Sequence, residues 1–217
     1  AGSLSNRVDG ADAVLLRISR SEPAAKVAEK ISQAMSGVIW GIWLEGATQV
    51  DTKEIAKAGC DFLVFTADAP LAAFQSEELG KILEIEATLS EGMLRAINGL
   101  PVEAALIDTG SQEGHPLTWQ HLITFQRAAD FVRRPLLAPV ASNVTAQEIQ
   151  ALWKAGLDGI VVEISQEQAS SRIKELRQLI DSLTFPLPRR QQRAEPVLPR
   201  TGGMMSMPSA PEEEEEE

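Results

Sequence analysis

In the run Ile82-Leu83-Glu84-Ile85-Glu86-Ala87 two carboxylates alternate with aliphatic residues. A β-strand turns successive side chains to opposite faces, so Ile82, Glu84 and Glu86 share one face while Leu83, Ile85 and Ala87 share the other. If the aliphatic face packs on helices, Glu84 and Glu86 point inward, where carboxylates are costly unless paired or metal-bound. Arg17, Glu45, Asp68, Asp108 and Glu163 fall at or near the ends of other apolar runs. Together they predict an acidic mouth with one counter-charge, Arg17. Glu45, Glu86, Asp108 and Glu163 offer hard oxygen ligands suited to a divalent cation such as Mg²⁺ or Mn²⁺, and the same charges would attract a cationic substrate. An internal ion pair of Arg17 with Glu84 or Glu86 is the competing, purely structural reading.

The stretch 109–118, Thr-Gly-Ser-Gln-Glu-Gly-His-Pro-Leu-Thr, follows the run that ends in Asp108. His115 there is a candidate general acid or base, oriented by Asp108 and assisted by Glu86. Arg17, Asp68 and Trp43 are the candidates for touching a small-molecule ligand. Trp40 and Trp43 lie three apart on one strand and therefore on opposite faces, so at most one lines a pocket. Other chemistry is narrowed by placement. Every lysine of the apolar-run region falls on a helical segment except Lys81, which enters its strand at the bottom, so no Schiff-base lysine is expected. Cys60 has no histidine near it in sequence and reads as a small buried hydrophobe. His121 reads as part of a helix cap, and Trp119 and Trp153 as packing residues.

These residues are carried on 217 residues with a net charge of −11, no tyrosine, one cysteine and two histidines. One cysteine excludes an internal disulfide, and the histidine count excludes a Cys/His zinc site; a reducing, cytoplasmic setting is expected. The acidic balance argues against nucleic acid and anionic membrane as partners. The longest apolar runs, such as Val38 to Leu44, are far short of the roughly 20 residues of a membrane span. Charge is unevenly placed: residues 1–185 carry −8, 186–211 carry +3 and the terminal glutamates 212–217 carry −6. Residues 1–185 are therefore expected to form one domain, and 186–217, proline- and arginine-rich and then polyglutamate, an extended tail.

Seven strands are expected at 13–19, 38–45, 62–68, 82–87, 103–108, 136–141 and 159–165. The segments 23–35, 52–59, 76–80, 91–99, 119–132, 146–156 and 168–183 have helical spacing. Start signals pair Asp51 with Glu54, Thr145 with Glu148 and Ser165 with Gln168. Gly59, Gly99 and Gly156 stand where helices should end. A weak repeat runs through Gly-Ala-Asp (10–12), Gly-Cys-Asp (59–61) and Gly-Leu-Asp (156–158), each followed by a strand. Strands alternating with helices pair in parallel through right-handed crossovers. The even spacing and the absence of a G-x-G-x-x-G turn favour a closed barrel over an open doubly wound sheet.

The order of motifs resembles a (β/α)₈ TIM barrel of the phosphate-binding kind, the group that includes thiamine phosphate synthase, indole glycerol phosphate synthase and related aldolases and isomerases. The segment 134–165 is similar to the seventh-strand, helix and eighth-strand portion of that group. Two departures matter. Where the group places phosphate-binding glycines this chain has Ala141, Ser142 and Asn143, and its eighth strand ends in Glu163 rather than a small residue, which argues against a phosphorylated ligand. In addition, aligning 159–165 with the last strand leaves the first strand missing, since residues 1–10 hold no strand-like run. An upstream segment or a second copy of the protein is expected to complete the barrel. The functional expectation is a non-catalytic or degenerate barrel acting as a binding or scaffolding module, its open edge and tail offered to a partner, with a small molecule as a further candidate ligand. The alternative is a metal-assisted lyase or isomerase acting on a small carbonyl or carboxylate metabolite.

Overall fold

The computed structural model describes residues 8–19, 23–35, 37–46, 50–74, 77–109, 116–163 and 169–185. The tail 186–217, His115 and the Ser165/Gln168 pair lie outside the described residues. Among the described residues seven strands form one sheet: β1 (Val14–Ile18), β2 (Trp40–Leu44), β3 (Phe62–Thr66), β4 (Gly80–Glu86), β5 (Ala104–Asp108), β6 (Leu136–Val140) and β7 (Gly159–Val162). Each pairs in parallel with the next, so the spatial order is the chain order. Six helices connect or follow them: α1 (Ala24–Ser32), α2 (Thr52–Lys57), α3 (Glu91–Ala96), α4 (Trp119–Phe131), α5 (Ala146–Lys154) and α6 (Ala169–Ser182).

Parallel neighbours in unbroken chain order, joined by right-handed crossovers, put every helix on one side, because only a reversal of strand order would send a helix to the other. The other face must then close on itself. It does so through Leu15, Trp43, Phe62, Val64, Ile82, Leu106, Leu137 and Val161, which form one apolar cluster to which all seven strands contribute. The molecule is thus a curled α/β sheet, TIM-barrel-like with one strand missing. At Gly41 a Cβ would stand 2.4 Å from the Phe62 ring, so glycine is what lets that ring enter the interior. Outside the sheet, Trp40, Ile42, Ile55 and Leu63 pack beneath α1 and α2, while Leu83, Ile85, Phe125, Leu136 and Leu152 pack beneath α3 to α6. Trp40 and Trp43 do lie on opposite faces, and the alternation read through 82–87 holds.

The Gly-x-Asp repeat has a physical basis. α2 and α5 end alike: the Gly59 and Gly156 N–H groups donate to the carbonyls of Ala56 and Trp153, and Cys60 and Leu157 to those of Ile55 and Leu152. That is the Schellman end, which needs a left-handed residue, and φ is +85° at Gly59 and +93° at Gly156. The aspartate two residues on then takes hold of the neighbouring strand. Asp61 N–H donates to the Trp40 carbonyl while its carboxylate accepts from Trp40 N–H at 2.9 Å. Asp158 does the same to Leu136, its carboxylate accepting at 2.8 Å. Glu103, ahead of β5, grips Lys81 in the same two-point manner, at 2.6 Å to the Lys81 N–H.

Elsewhere the structure corrects the sequence reading. Of the expected helix 76–80, the described residues 77–80 are not helical. Gly80 donates to the Asp61 carbonyl as the first residue of β4, and the turn of helix after β3 falls earlier, at Leu71–Phe74, as a 3₁₀ turn. Gly99 does not adopt a left-handed cap, because α3 continues through Ile97–Gly99 as a 3₁₀ turn that ends without one. Trp119 is 81% exposed, since it opens α4 ahead of that helix's inward stripe, so it does not pack in the core. The expected caps at Asp51 and Thr145 are present. His121 caps α4 in a reciprocal box with Thr118.

Gly156→Ala combines a strained φ with a Cβ 2.5 Å from that of Ala129, whereas at Gly99 a Cβ meets open space. Gly156→Ala is expected to lower stability by roughly 2 kcal/mol, and Gly99→Ala to leave it unchanged or slightly raised. Urea unfolding of the two variants checks this contrast.

Candidate functional site

The C-terminal ends of the strands gather the polar inward residues. Arg17 on β1 is in register with Trp43 on β2, and Thr66 on β3 with Glu84 on β4. Because inward residues alternate, Arg17, Trp43, Glu84 and Asp108 all face the interior near its upper rim. Trp43 is 4% exposed, and its indole Nε1–H donates to Glu84 Oε2 at 2.7 Å. The Arg17 guanidinium lies over the Trp43 ring, 4.1 Å from its centre, and its Nε pairs with Glu45 Oε1 at 3.3 Å. An indole thus carries a cation on its face and a carboxylate on its edge, which suits its quadrupole on both counts.

The Glu84 carboxyl is held above the ordinary glutamate value of 4.5, chiefly because burial penalises its charge. The Trp43 hydrogen bond and the Arg17 charge pull it down, while Asp108 and Glu45 push it up. Burial dominates this balance.

Arg17 therefore pairs with Glu45, not with Glu84 or Glu86. Glu45 lies just past β2, beside the last turn of β1, where its N–H donates to the Ile18 carbonyl, and both ion-pair side chains are about half exposed. Glu86 is in register with Asp108 across β4 and β5, but it is exposed and accepts a hydrogen bond from Thr88. Asp68 stands beyond the end of β3, exposed, where it accepts from the Thr66 hydroxyl. Glu163 follows β7 and, with Asp108, lines the central cavity. Among the described residues no group of three or more His, Cys, Asp and Glu is placed to hold a metal ion. Glu45, Glu86, Asp108 and Glu163 are accordingly not brought into one ligand set: the first is turned to Arg17 and the second to Thr88. Glu84, rather than Glu86, is the carboxylate at the heart of the mouth. The strand alternation made both inward, and only the height of each along β4 separates them.

Cys60 is buried, its thiol pushed up to about 11 by burial, as expected of a packing residue. The turn at 141–144 is engaged internally. Val144 and Thr145 donate their N–H groups to the Ala141 carbonyl and the Glu148 carboxylate, and Arg172 of α6 donates to the carbonyls of Ser142 and Val144. No sequence signal marked Arg172 for this task.

The interior opens into a cavity of about 1210 Å³. Its walls are mainly aliphatic and aromatic, among them Leu15, Phe62, Ile82, Leu137 and Val161, with Arg17, Trp43, Asp108 and Glu163 at the mouth.

No protein-family model matches the chain, and no curated protein sequence does. Solved structures do resemble it. A mandelate oxidase bound to 3,3-difluoro-2-hydroxy-3-phenylpropionic acid matches with a TM-score of 0.58 at 14% identity, over 82% of this chain and 67% of that one. Phosphoribosyl anthranilate isomerase from Thermus thermophilus gives 0.57 at 14%, over 83% and 93%. Tryptophan synthase from M. tuberculosis, in an aminoacrylate-bound form, gives 0.54 at 13%, over 82% of each chain. At such identities the likeness is one of fold, and it agrees with the barrel-like architecture. Among the described residues no helix is long and apolar enough to cross a membrane.

Glu84 binds protons more tightly in the folded state than in the unfolded chain, so the unfolded state holds fewer protons as pH rises through this range and stability falls. Glu84→Gln keeps an acceptor for the Trp43 indole and removes the charge. Relative to this variant, the parent should lose stability as pH rises from about 4 to about 7. Denaturant titrations at both pH values check it; a parent that gains on the variant over that interval would contradict the assignment.

Proposed function

We propose that this barrel is a binding module for a small amphipathic molecule with a cationic head. The observation that supports the reading is the cavity itself: apolar walls ending in a mouth where Asp108 and Glu163 supply negative charge and the Arg17 guanidinium is already engaged by Glu45 and Trp43. A concave apolar site with a few convergent polar groups is the usual form of a small-molecule site. An ammonium group would meet carboxylates there, and an apolar body would displace water from Leu15, Phe62 and Ile82.

A second reading, a lyase or isomerase, is favoured by one observation. Glu84 holds its proton more tightly than an ordinary glutamate, and Asp108 lies near enough to contribute to that. Two carboxyl groups in different environments can serve as acid and base. Phosphoribosyl anthranilate isomerase, tryptophan synthase and mandelate oxidase carry enzyme names, which is in keeping with such chemistry.

The binding reading is tested with 2-phenylethylamine and its anionic counterpart phenylacetate as probes in thermal melts. A ligand that binds only the native state raises its melting temperature. The amine should raise it by a few degrees at saturating concentration, phenylacetate should not, and Asp108→Asn should remove most of the rise. Stabilisation by the anion, by neither probe, or by Mg²⁺ or Mn²⁺ in place of the amine would contradict the proposal.

A further inference from the structure

Asp12 stands ahead of β1 as Asp61 and Asp158 stand ahead of β3 and β7. Each lies two residues after a glycine in the left-handed region, and φ at Gly10 is +102°. Asp61 and Asp158 grip the first residue of the preceding strand. β1 is an edge of the sheet, so no strand among the described residues stands where Asp12 would grip. Its carboxylate, on a side chain 92% exposed, meets Arg177 of α6 instead, with both oxygens accepting at 3.1 Å.

We propose that the gap between β1 and β7 is a docking slot for a single extended, apolar peptide strand, parallel to both, whose first residue is held by Asp12. Backbone parity prepares both edges. Val14 N–H donates to the Ile39 carbonyl and Glu45 N–H to that of Ile18, so alternate residues of β1 face β2 and the backbones of Leu15 and Arg17 face the gap. On the other side Ala105 N–H donates to the Pro135 carbonyl, so Leu137 and Pro139 face β5 and Ala138 and Val140 face β7, where Gly159 and Val161 are turned toward them; the backbones of Ile160 and Val162 are left facing the gap.

The walls suit a strand buried on both faces. The cavity of about 1210 Å³ touches both edges and runs from the interior, at Leu15 and Val161, to the helix layer, at Ile173, Leu176 and Ile180. The Arg177 Nε–H, buried beside it, has no hydrogen-bond partner and offers a donor to an incoming carbonyl. α6 also settles the kind of occupant. It spans the gap on the outside, tied to the segment before β1 by Lys174 to Asp9 and Arg177 to Asp12. A second folded copy would bring its own helix layer against α6, whereas one strand fits beneath it.

The probe is a synthetic peptide with a valine-rich core of five residues between terminal lysines, and the readout is amide hydrogen exchange on the full chain. The Leu15, Arg17, Ile160 and Val162 amides should exchange quickly without peptide and at least tenfold more slowly with it. Leu15→Pro removes the N–H facing the gap, a change that an edge strand tolerates, and should abolish the protection. Asp12→Ala, an exposed site, should weaken peptide affinity several-fold, and it carries the test if Leu15→Pro fails to fold. Asp108→Asn, which should remove the response to 2-phenylethylamine, should leave peptide binding unchanged, which separates the slot from the ligand reading of the mouth. The proposal is overturned if millimolar peptide protects none of these amides. It is overturned equally if they are already as protected as those of β3, whether in a monomer, with the slot filled from within, or in a dimer seen by sedimentation, with a second copy filling it.

Discussion

Register is what the rest of this structure depends on, and at the base of the sheet it is set by acidic residues that hold both backbone groups of a neighbouring residue. Asp61, Glu103 and Asp158 each donate a main-chain N–H and accept one with a carboxylate. Bonds of this charge-assisted kind contribute on the order of 1–3 kcal/mol apiece and have a fixed geometry. Since side chains alternate along a strand, a slip of one residue would exchange the two faces of the whole strand. Such a slip in β4 would send Ile85 inward and Glu84 among the helices. The rim positions of Trp43 and Glu84 are thus supported from the opposite end of the sheet, by the grips on Trp40 and Lys81 in their own strands.

Winding in chain order adds the second constraint. With every helix outside, the inner face has nothing to bury it except itself, and one residue or more from each strand supplies that core. A bulky Trp43 is tolerated near the top because Gly41, below it, yields room to Phe62. The apolar floor leaves the polar groups stacked above it. Their environment, more than their identity, makes Glu84 reluctant to ionise while Arg17 and Glu45 stay half exposed.

Much of this was legible in the chain because parallel strands buried on both faces read as apolar runs, as Trp40 to Leu44 do, every one of them buried. The caps at Asp51 and Thr145 were legible because their chemistry is local. What escaped was chemistry set by distance in sequence. The Gly-x-Asp repeat was visible, but its grip spans some 20 residues, and the matching grip by Glu103 lacks the glycine altogether. The stretch 76–80 carries helix-forming residues, yet pairing of Gly80 with Asp61 makes its last residue the start of β4. The partner of Arg17 could not be chosen among Glu45, Glu84 and Glu86 from alternation alone, because Glu45 reaches it from beyond the strand end.

The register brings the Trp43 indole against a Glu84 carboxylate that burial holds above the ordinary glutamate value. The most direct measurement is a pH titration of the four indole N–H resonances in ¹⁵N-labelled protein, with Trp43→Phe identifying the relevant one. The Trp43 signal is expected to move with a midpoint above 4.5, the ordinary glutamate value, and Glu84→Gln to remove the movement. A Trp43 signal that does not titrate, or one that titrates unchanged in Glu84→Gln, would contradict this arrangement.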